Sequence, residues 1–152
     1  MKETTLCYIE RDGAYLMMHR VKKEKDINRD KWIGVGGKIE DGETPFDCAR
    51  REIKEETGAT AKHLKYRGII TFVSDIYGTE IMHLFTTDCL LGDINYDSDE
   101  GNLEWVRKQD IPHLPIWEGD KIFFKLLDTE NRFFRLTLNY NGDNLISHEL
   151  SF

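Results

Sequence analysis

Glu52, Glu55 and Glu56 stand at i, i+3 and i+4 in the run Arg51-Glu52-Ile53-Lys54-Glu55-Glu56-Thr57-Gly58. Side chains at those offsets share one face of an α-helix. Carboxylates held that close repel, and each like-charge pair costs a few tenths of a kcal/mol. Stability alone gives no reason for the arrangement. Holding hard divalent cations does, because Mg²⁺ takes oxygen ligands and is bound through carboxylates together with substrate phosphates.

The element that must position these acids is well marked at both ends. Thr44 suits an N-cap, Pro45 the first helical position, and Asp47 the acid of a capping box. Gly58 suits a left-handed C′ residue, so the spacing predicts a helix over Pro45 to Thr57. Phe46, Ala49 and Ile53 form an apolar stripe to anchor it, with Cys48 flanking. Ahead of it, Gly36-Gly37 lets backbone approach a ligand closely or adopt an unusual φ/ψ.

From Gly36 to Ala59 the chain reads GGKIEDGETPFDCARREIKEETGA. This resembles the signature of the Nudix hydrolases: Gly37, five residues, Glu43, seven residues, then Arg51 to Gly58. Ala59 departs from it, standing where the family carries a larger aliphatic residue. The resemblance implies an α/β/α Nudix sandwich and metal-dependent hydrolysis of a diphosphate bond. It makes Glu52 and Glu56 the principal metal ligands, with Glu52 also activating water, and Glu55 a further ligand, direct or through water. It makes the Gly37 carbonyl a ligand, Arg51 the residue that orients the catalytic glutamate, and Glu43 the brace of the loop and of Arg51. Lys38, beside the glycine loop, either reaches a phosphate or is solvated. One more acid is expected from outside the signature. Glu100 best fits it, with Asp97 and Asp99 as ordinary loop acids nearby. The implied cofactor is Mg²⁺, with Mn²⁺ as a substitute.

The chain has 152 residues, enough for one domain, residues 1–152, with a sizeable core. A net charge of −7 argues against a nucleic-acid backbone as partner but not against a nucleotide, whose phosphates metal ions can bridge to carboxylates. Cys7, Cys48 and Cys89 are widely spaced and show no C-x-x-C pairing, as expected of free thiols in a reducing compartment. No apolar run has signal-peptide or membrane-spanning length, so a cytoplasmic protein without a membrane partner is expected, as a monomer or weak homodimer.

Thr4 to Glu10 and Ala14 to Val21 read as strands around the Asp12-Gly13 turn. Lys22 to Lys31 is a charged loop, either a solvated connection or a substrate-facing flap. His63 to Val73 and Thr79 to Leu90 read as a second strand pair, and Leu103 to Val106 as a short strand. Gln109 to Pro115 should turn, and Trp117 to Asp128 reads as an amphipathic helix with Ile122, Phe123, Leu126 and Leu127 inward. Phe133 to Tyr140 and Leu145 to Phe152 form a final hairpin about Asn141-Gly142. The five scattered histidines lack metal-ligand spacing and read as structural or exposed. Strands flanking two helices give an α/β (α+β) fold with a mixed sheet, plus the C-terminal β-hairpin.

WIGVGGK, MHLFTTD and LPIWEGD resemble the MutT-type, purine-sanitising subgroup, which implies a small nucleotide substrate such as 8-oxo-dGTP, converted to the monophosphate and pyrophosphate. Trp117 and Asp120 map onto an aromatic residue and acid that contact the base; Trp117 read alone could equally be core. Ile33 falls at a base-reading position occupied by asparagine in the animal enzymes of that subgroup, and Gly119 at one of two adjacent aspartates. Two other readings stay open: hydrolysis of ADP-ribose, a dinucleotide or a dinucleoside polyphosphate, and a non-catalytic ligand-binding Nudix module.

Overall fold

A computed structural model describes residues 1–23 and 25–152; Glu24, within the expected charged loop, lies outside the described residues. Strands β1 (Lys2–Arg11), β2 (Ala14–His19) and β3 (Trp32–Ile33) precede helix α1 (Pro45–Thr57). β4 (Thr60–Lys62), β5 (Lys65–Ser74), β6 (Gly78–Thr87), β7 (Cys89–Leu91) and β8 (Asn102–Arg107) follow. A 3₁₀ turn over Lys108–His113, helix α2 (Asp120–Thr129), β9 (Phe134–Asn141) and β10 (Asn144–Ser151) complete the chain. The main sheet runs β10-β9-β5-β6-β1-β2-β3, with β8 also paired to β2. It is mixed, since β1 lies parallel to β6 and β5 parallel to β9 while the other pairs are antiparallel.

Alternation along the strands makes two cores from one sheet. Leu6, Tyr8, Tyr15 and Met17 face one side and pack with Phe123 and Leu127 of α2. Cys7, Ile9, Leu16 and Met18 face the other and pack with Ala49 and Ile53 of α1. This is the expected α/β/α sandwich. Full burial of Ile53 alone is worth about 1.5–3 kcal/mol, so an acid there would detach α1 from the sheet.

Several boundaries differ from the sequence expectation, each for a local reason. The second strand pair is split: His63 takes φ 56° and breaks the run, and β4 pairs with β7 in a separate two-stranded ribbon. The Gln109–Pro115 turn is a 3₁₀ helix. α2 starts at Asp120 rather than Trp117, because Trp117–Gly119 form the turn that delivers it. Ile122 and Leu126 are only partly buried at the rim of the α2 core.

One irregularity positions the site. β1 and β2 pair only beside their turn, at Glu10↔Tyr15 and Arg11↔Ala14, and then part. The segment before α1 enters the gap and bonds to β1: Cys7 and Val35 exchange both backbone bonds, Thr5 N–H donates to Gly37 O at 2.9 Å, and Ile39 N–H to Glu3 O at 3.1 Å. The glycine loop is thereby held by the sheet.

Candidate active site

α1 has the ends its sequence predicts. Thr44 Oγ1 accepts from Asp47 N–H, and Asp47 reaches back to the Thr44 N–H, both at 3.1 Å. Gly58 closes the helix at φ 79°. On the face between helix and loop, Arg51 is the hub. It grips Glu43 bidentately, Nε to Oε2 at 2.7 Å and Nη2 to Oε1 at 2.9 Å. Its Nη1 donates to Glu52 at 2.8 Å and Glu55 at 3.3 Å, and Nη2 donates to the Lys38 carbonyl at 3.0 Å. The Arg51 bonds, with the Glu40 N–H bond added, hold the Glu43 carboxyl at a pKa of about 2.

Glu52 is half-buried against the loop, and burial pushes its carboxyl up even though Arg51 pulls it down. A Cβ at Gly37 would lie 2.5 Å from the Glu52 carboxyl, so a side chain there would push that carboxyl out of its place. Gly36 runs tighter still: its Cβ would meet Thr5 O at 2.0 Å, and its N–H donates to Glu56 Oε2 at 2.9 Å.

Glu100, from the loop before β8, reaches the same place. Its carboxyl contacts that of buried Glu56, and Arg20 and Lys23 hold it from the other side at 3.1 and 3.4 Å. Burial first, then Glu100, raises the Glu56 pKa. Burial works against ionising Glu100 too, but the Glu56 carboxyl, Arg20 and Lys23 outweigh it and its pKa is lowered. Two carboxyls in contact share a proton where a cation would serve as well, and every donor here is a hard oxygen, which suits Mg²⁺. Among the described residues no three acids already converge on one point, and Glu55 is exposed, leaning on Arg51. The Gly37 carbonyl is occupied by Thr5 N–H and by Cys48 Sγ at 3.6 Å.

A cavity of about 420 Å³ runs from this cluster to the N-terminus of α2. Glu52, Glu100 and Lys38 line one end, and Phe72, Trp117 and Asp120 the other. Glu43, Arg51, Glu55 and Glu56 do not line it. Ile33 does, while also packing on the α1-side core. Trp117 is both wall and core: it meets Phe72 and Tyr140 edge-on, each at 5.2 Å, and Lys31 Nζ lies 4.5 Å over its ring. Asp120 is buried without a hydrogen bond to its carboxyl among the described residues, and burial raises it to about 8 against the opposing pull of Lys31. Beside it, the fully buried Tyr8 hydroxyl is also unpartnered, the Gly34 amide approaching outside hydrogen-bond geometry.

Sequence reasoning missed several residues here. The charged loop lines the cavity through Lys25–Asn28, as a flap would. A chain of bonds crosses it: Trp117 Nε1 to Asn28 Oδ1 at 2.8 Å, Asn28 N–H to Asp26 at 3.0 Å, Arg20 to Asp26 at 2.7 Å, and Arg20 to Glu100. Nothing in the spacing of Arg20, Asp26 and Asn28 signals this, and Tyr8 reads only as a sheet-face residue. The C-terminal hairpin contributes too, since Tyr140 Oη accepts from Gly119 N–H at 2.7 Å and fixes the turn carrying Trp117.

Residues 2–127 match the NUDIX domain. An oxidized purine nucleoside triphosphate hydrolase of Danio rerio is 33% identical over 98% of this chain and 94% of its own length. The Mus musculus protein of the same name is 31% identical over 84% and 82%. Among solved structures, a mutator MutT protein from Bacillus halodurans superposes with TM-score 0.86 at 30% identity, covering 99% of this chain and 97% of that one. With the signature acids on α1 and the sandwich fold behind them, the chain belongs to the Nudix hydrolase family and is of MutT type.

Proposed function

We propose that the protein is a nucleoside triphosphate pyrophosphohydrolase that removes oxidised purine deoxynucleotides, 8-oxo-dGTP above all, releasing the monophosphate and pyrophosphate. One observation carries the reading: a single cavity joins the acid cluster to a pocket with an aromatic wall and a buried, unpartnered acid. The names of the zebrafish and mouse relatives point the same way.

In this mechanism Glu52, Glu56 and Glu100, with Glu55 at the rim, would hold a divalent metal ion. Gly37 would join them only by releasing Thr5 or Cys48. Mg²⁺, or Mn²⁺ in its place, would neutralise phosphate charge and lower the pKa of a water. Glu52 takes a proton from the attacking water as its oxygen bonds to phosphorus and the bridging P–O bond breaks, pyrophosphate leaving. Arg51 fixes the Glu52 carboxylate, and Glu43 fixes Arg51. Lys38, exposed at the phosphate end, offsets charge on the leaving group. At the other end Trp117 and Ile33 border the base, and Asp120 reads its N–H donors. A base lacking them leaves a buried acid unpaired, which penalises the wrong substrate.

The test is kcat/KM for 8-oxo-dGTP, dGTP, ADP-ribose and diadenosine tetraphosphate with Mg²⁺. The proposal expects 8-oxo-dGTP to lead. A tenfold advantage, about 1.4 kcal/mol, for either of the last two would overturn it.

A further inference from the structure

The loop between β2 and β3 carries a side chain whose orientation the hydrolytic cluster does not explain. Trp117 Nε1 donates to Asn28 Oδ1 at 2.8 Å. An indole N–H can only donate, so the carboxamide oxygen must face the ring. The planar amide then turns its nitrogen away from Trp117, and among the described residues Nδ2 has no partner. Asn28 lines the cavity together with Asp120 and Ile33. Its backbone is braced as well, with its N–H on Asp26 Oδ1 at 3.0 Å and Asp26 Oδ2 on Arg20 Nε at 2.7 Å.

Asp120, whose charged form the N–H donors of a bound base favour, gives this end of the cavity acceptors, and Ile33 adds no polar side-chain atom. On a guanine-type base the N–H donors that an acid would read lie next to the 6-oxo oxygen, an acceptor that needs a donor of its own. We infer that Asn28 is a specificity-determining residue, its Nδ2–H group donating to the 6-oxo oxygen of a purine whose N–H donors face Asp120. This rests on the nucleoside triphosphate reading above. Trp117 acts on the base twice, once as a wall and once by aiming the Asn28 carboxamide.

The experiment compares kcat/KM for 8-oxo-dGTP and 8-oxo-dATP, which carries a 6-amino donor in place of the 6-oxo acceptor, in the wild type, Asn28→Asp and Asn28→Ala. Asn28→Asp still accepts from Trp117 but presents an acceptor where a donor stood. Its added charge slows both triphosphates, so the ratio between them is the readout. That ratio should fall at least about tenfold in Asn28→Asp, the loss of one well-placed hydrogen bond. It should fall by about threefold in Asn28→Ala, which removes donor and acceptor together. A ratio within about twofold of wild type in both variants overturns the inference. If the wild type acts on 8-oxo-dGTP and the ratio stays put, only the role of Asn28 falls. A wild type inactive on both triphosphates sinks the proposed function, and this inference with it.

Discussion

The two ends of the cavity are built on opposite plans. At the acid end, charges are saturated: Arg51 alone bonds Glu43, Glu52, Glu55 and the Lys38 carbonyl, and Glu56 is tied to Gly36. Nearly all of it comes from one contiguous stretch of loop and helix. At the other end, Tyr8, Asn28, Phe72, Trp117 and Asp120 arrive from separate elements, and the Asp120 carboxyl and Tyr8 hydroxyl have no partner among the described residues. Under the proposed function the difference separates two tasks. A reaction at phosphorus needs fixed charge, which a braced ionic network on a helix provides before any substrate arrives. Recognition of a base needs buried polar groups that only the right ligand can satisfy, and leaving them bare in the free protein is what gives discrimination.

The largest expected effect tests the acid end. Glu52→Gln and Glu56→Gln should each lower kcat by at least about 10²-fold while circular dichroism stays native, the scale of losing positioned charge at a reacting phosphate. Turnover within a few-fold of wild type in either variant, or full activity in EDTA, would remove the hydrolytic role from α1.

Next in size is a pH effect at the base end. Folded Asp120 keeps its proton up to about pH 8, whereas the unfolded carboxyl releases it near 3.8. Its contribution to stability is therefore complete below about pH 4 and is lost as pH rises towards 8, with a slope approaching about 1.4 kcal/mol per pH unit. Urea unfolding at pH 5 and pH 7 should show wild type losing stability relative to Asp120→Asn over that interval. Parallel behaviour of the two proteins would mean that Asp120 is ionised throughout.

The same substitution sharpens the contrast in activity. Asp120→Asn should cut kcat/KM for 8-oxo-dGTP by about tenfold or more while changing kcat for a poor substrate much less. Equal losses on both would assign Asp120 to the chemistry instead of the base.

The smallest effect concerns the support of the acid end. Thr44→Ala removes the hydroxyl that accepts from the Asp47 N–H, leaving the reciprocal bond from the residue 44 N–H, and should destabilise the protein by about 1 kcal/mol, seen as a lower urea midpoint. No shift in that midpoint would show that α1 is held by Ala49 and Ile53 packing alone.

The contrast also divides what could be read from residues in order. Helix α1, its cap and its C′ glycine were legible because they obey local rules: a 3.6-residue repeat, a capping side chain and a left-handed glycine all act within one turn. The hairpins at Asp12-Gly13 and Asn141-Gly142 and the two-sided sheet were legible for the same reason, through turn chemistry and alternation. Even Glu100 could be nominated, as an acid in a short loop ahead of a strand.

Tertiary structure alone decided the rest. β1 and β2 part because β3 takes the edge of β2 at Met18 and His19 while Val35 and Lys38 pair with β1, and β8 covers the other edge of β2 across more than eighty residues, a set of pairings that no local pattern encodes. That split opens the cavity and sets the glycine loop beside Glu52 and Glu56. The bonds from Trp117 through Asn28, Asp26 and Arg20 to Glu100 exist only because the fold brings the β2–β3 loop onto both ends of that cavity. Spacing along the chain determined the acids. Only the packing of distant segments determined what lies opposite them.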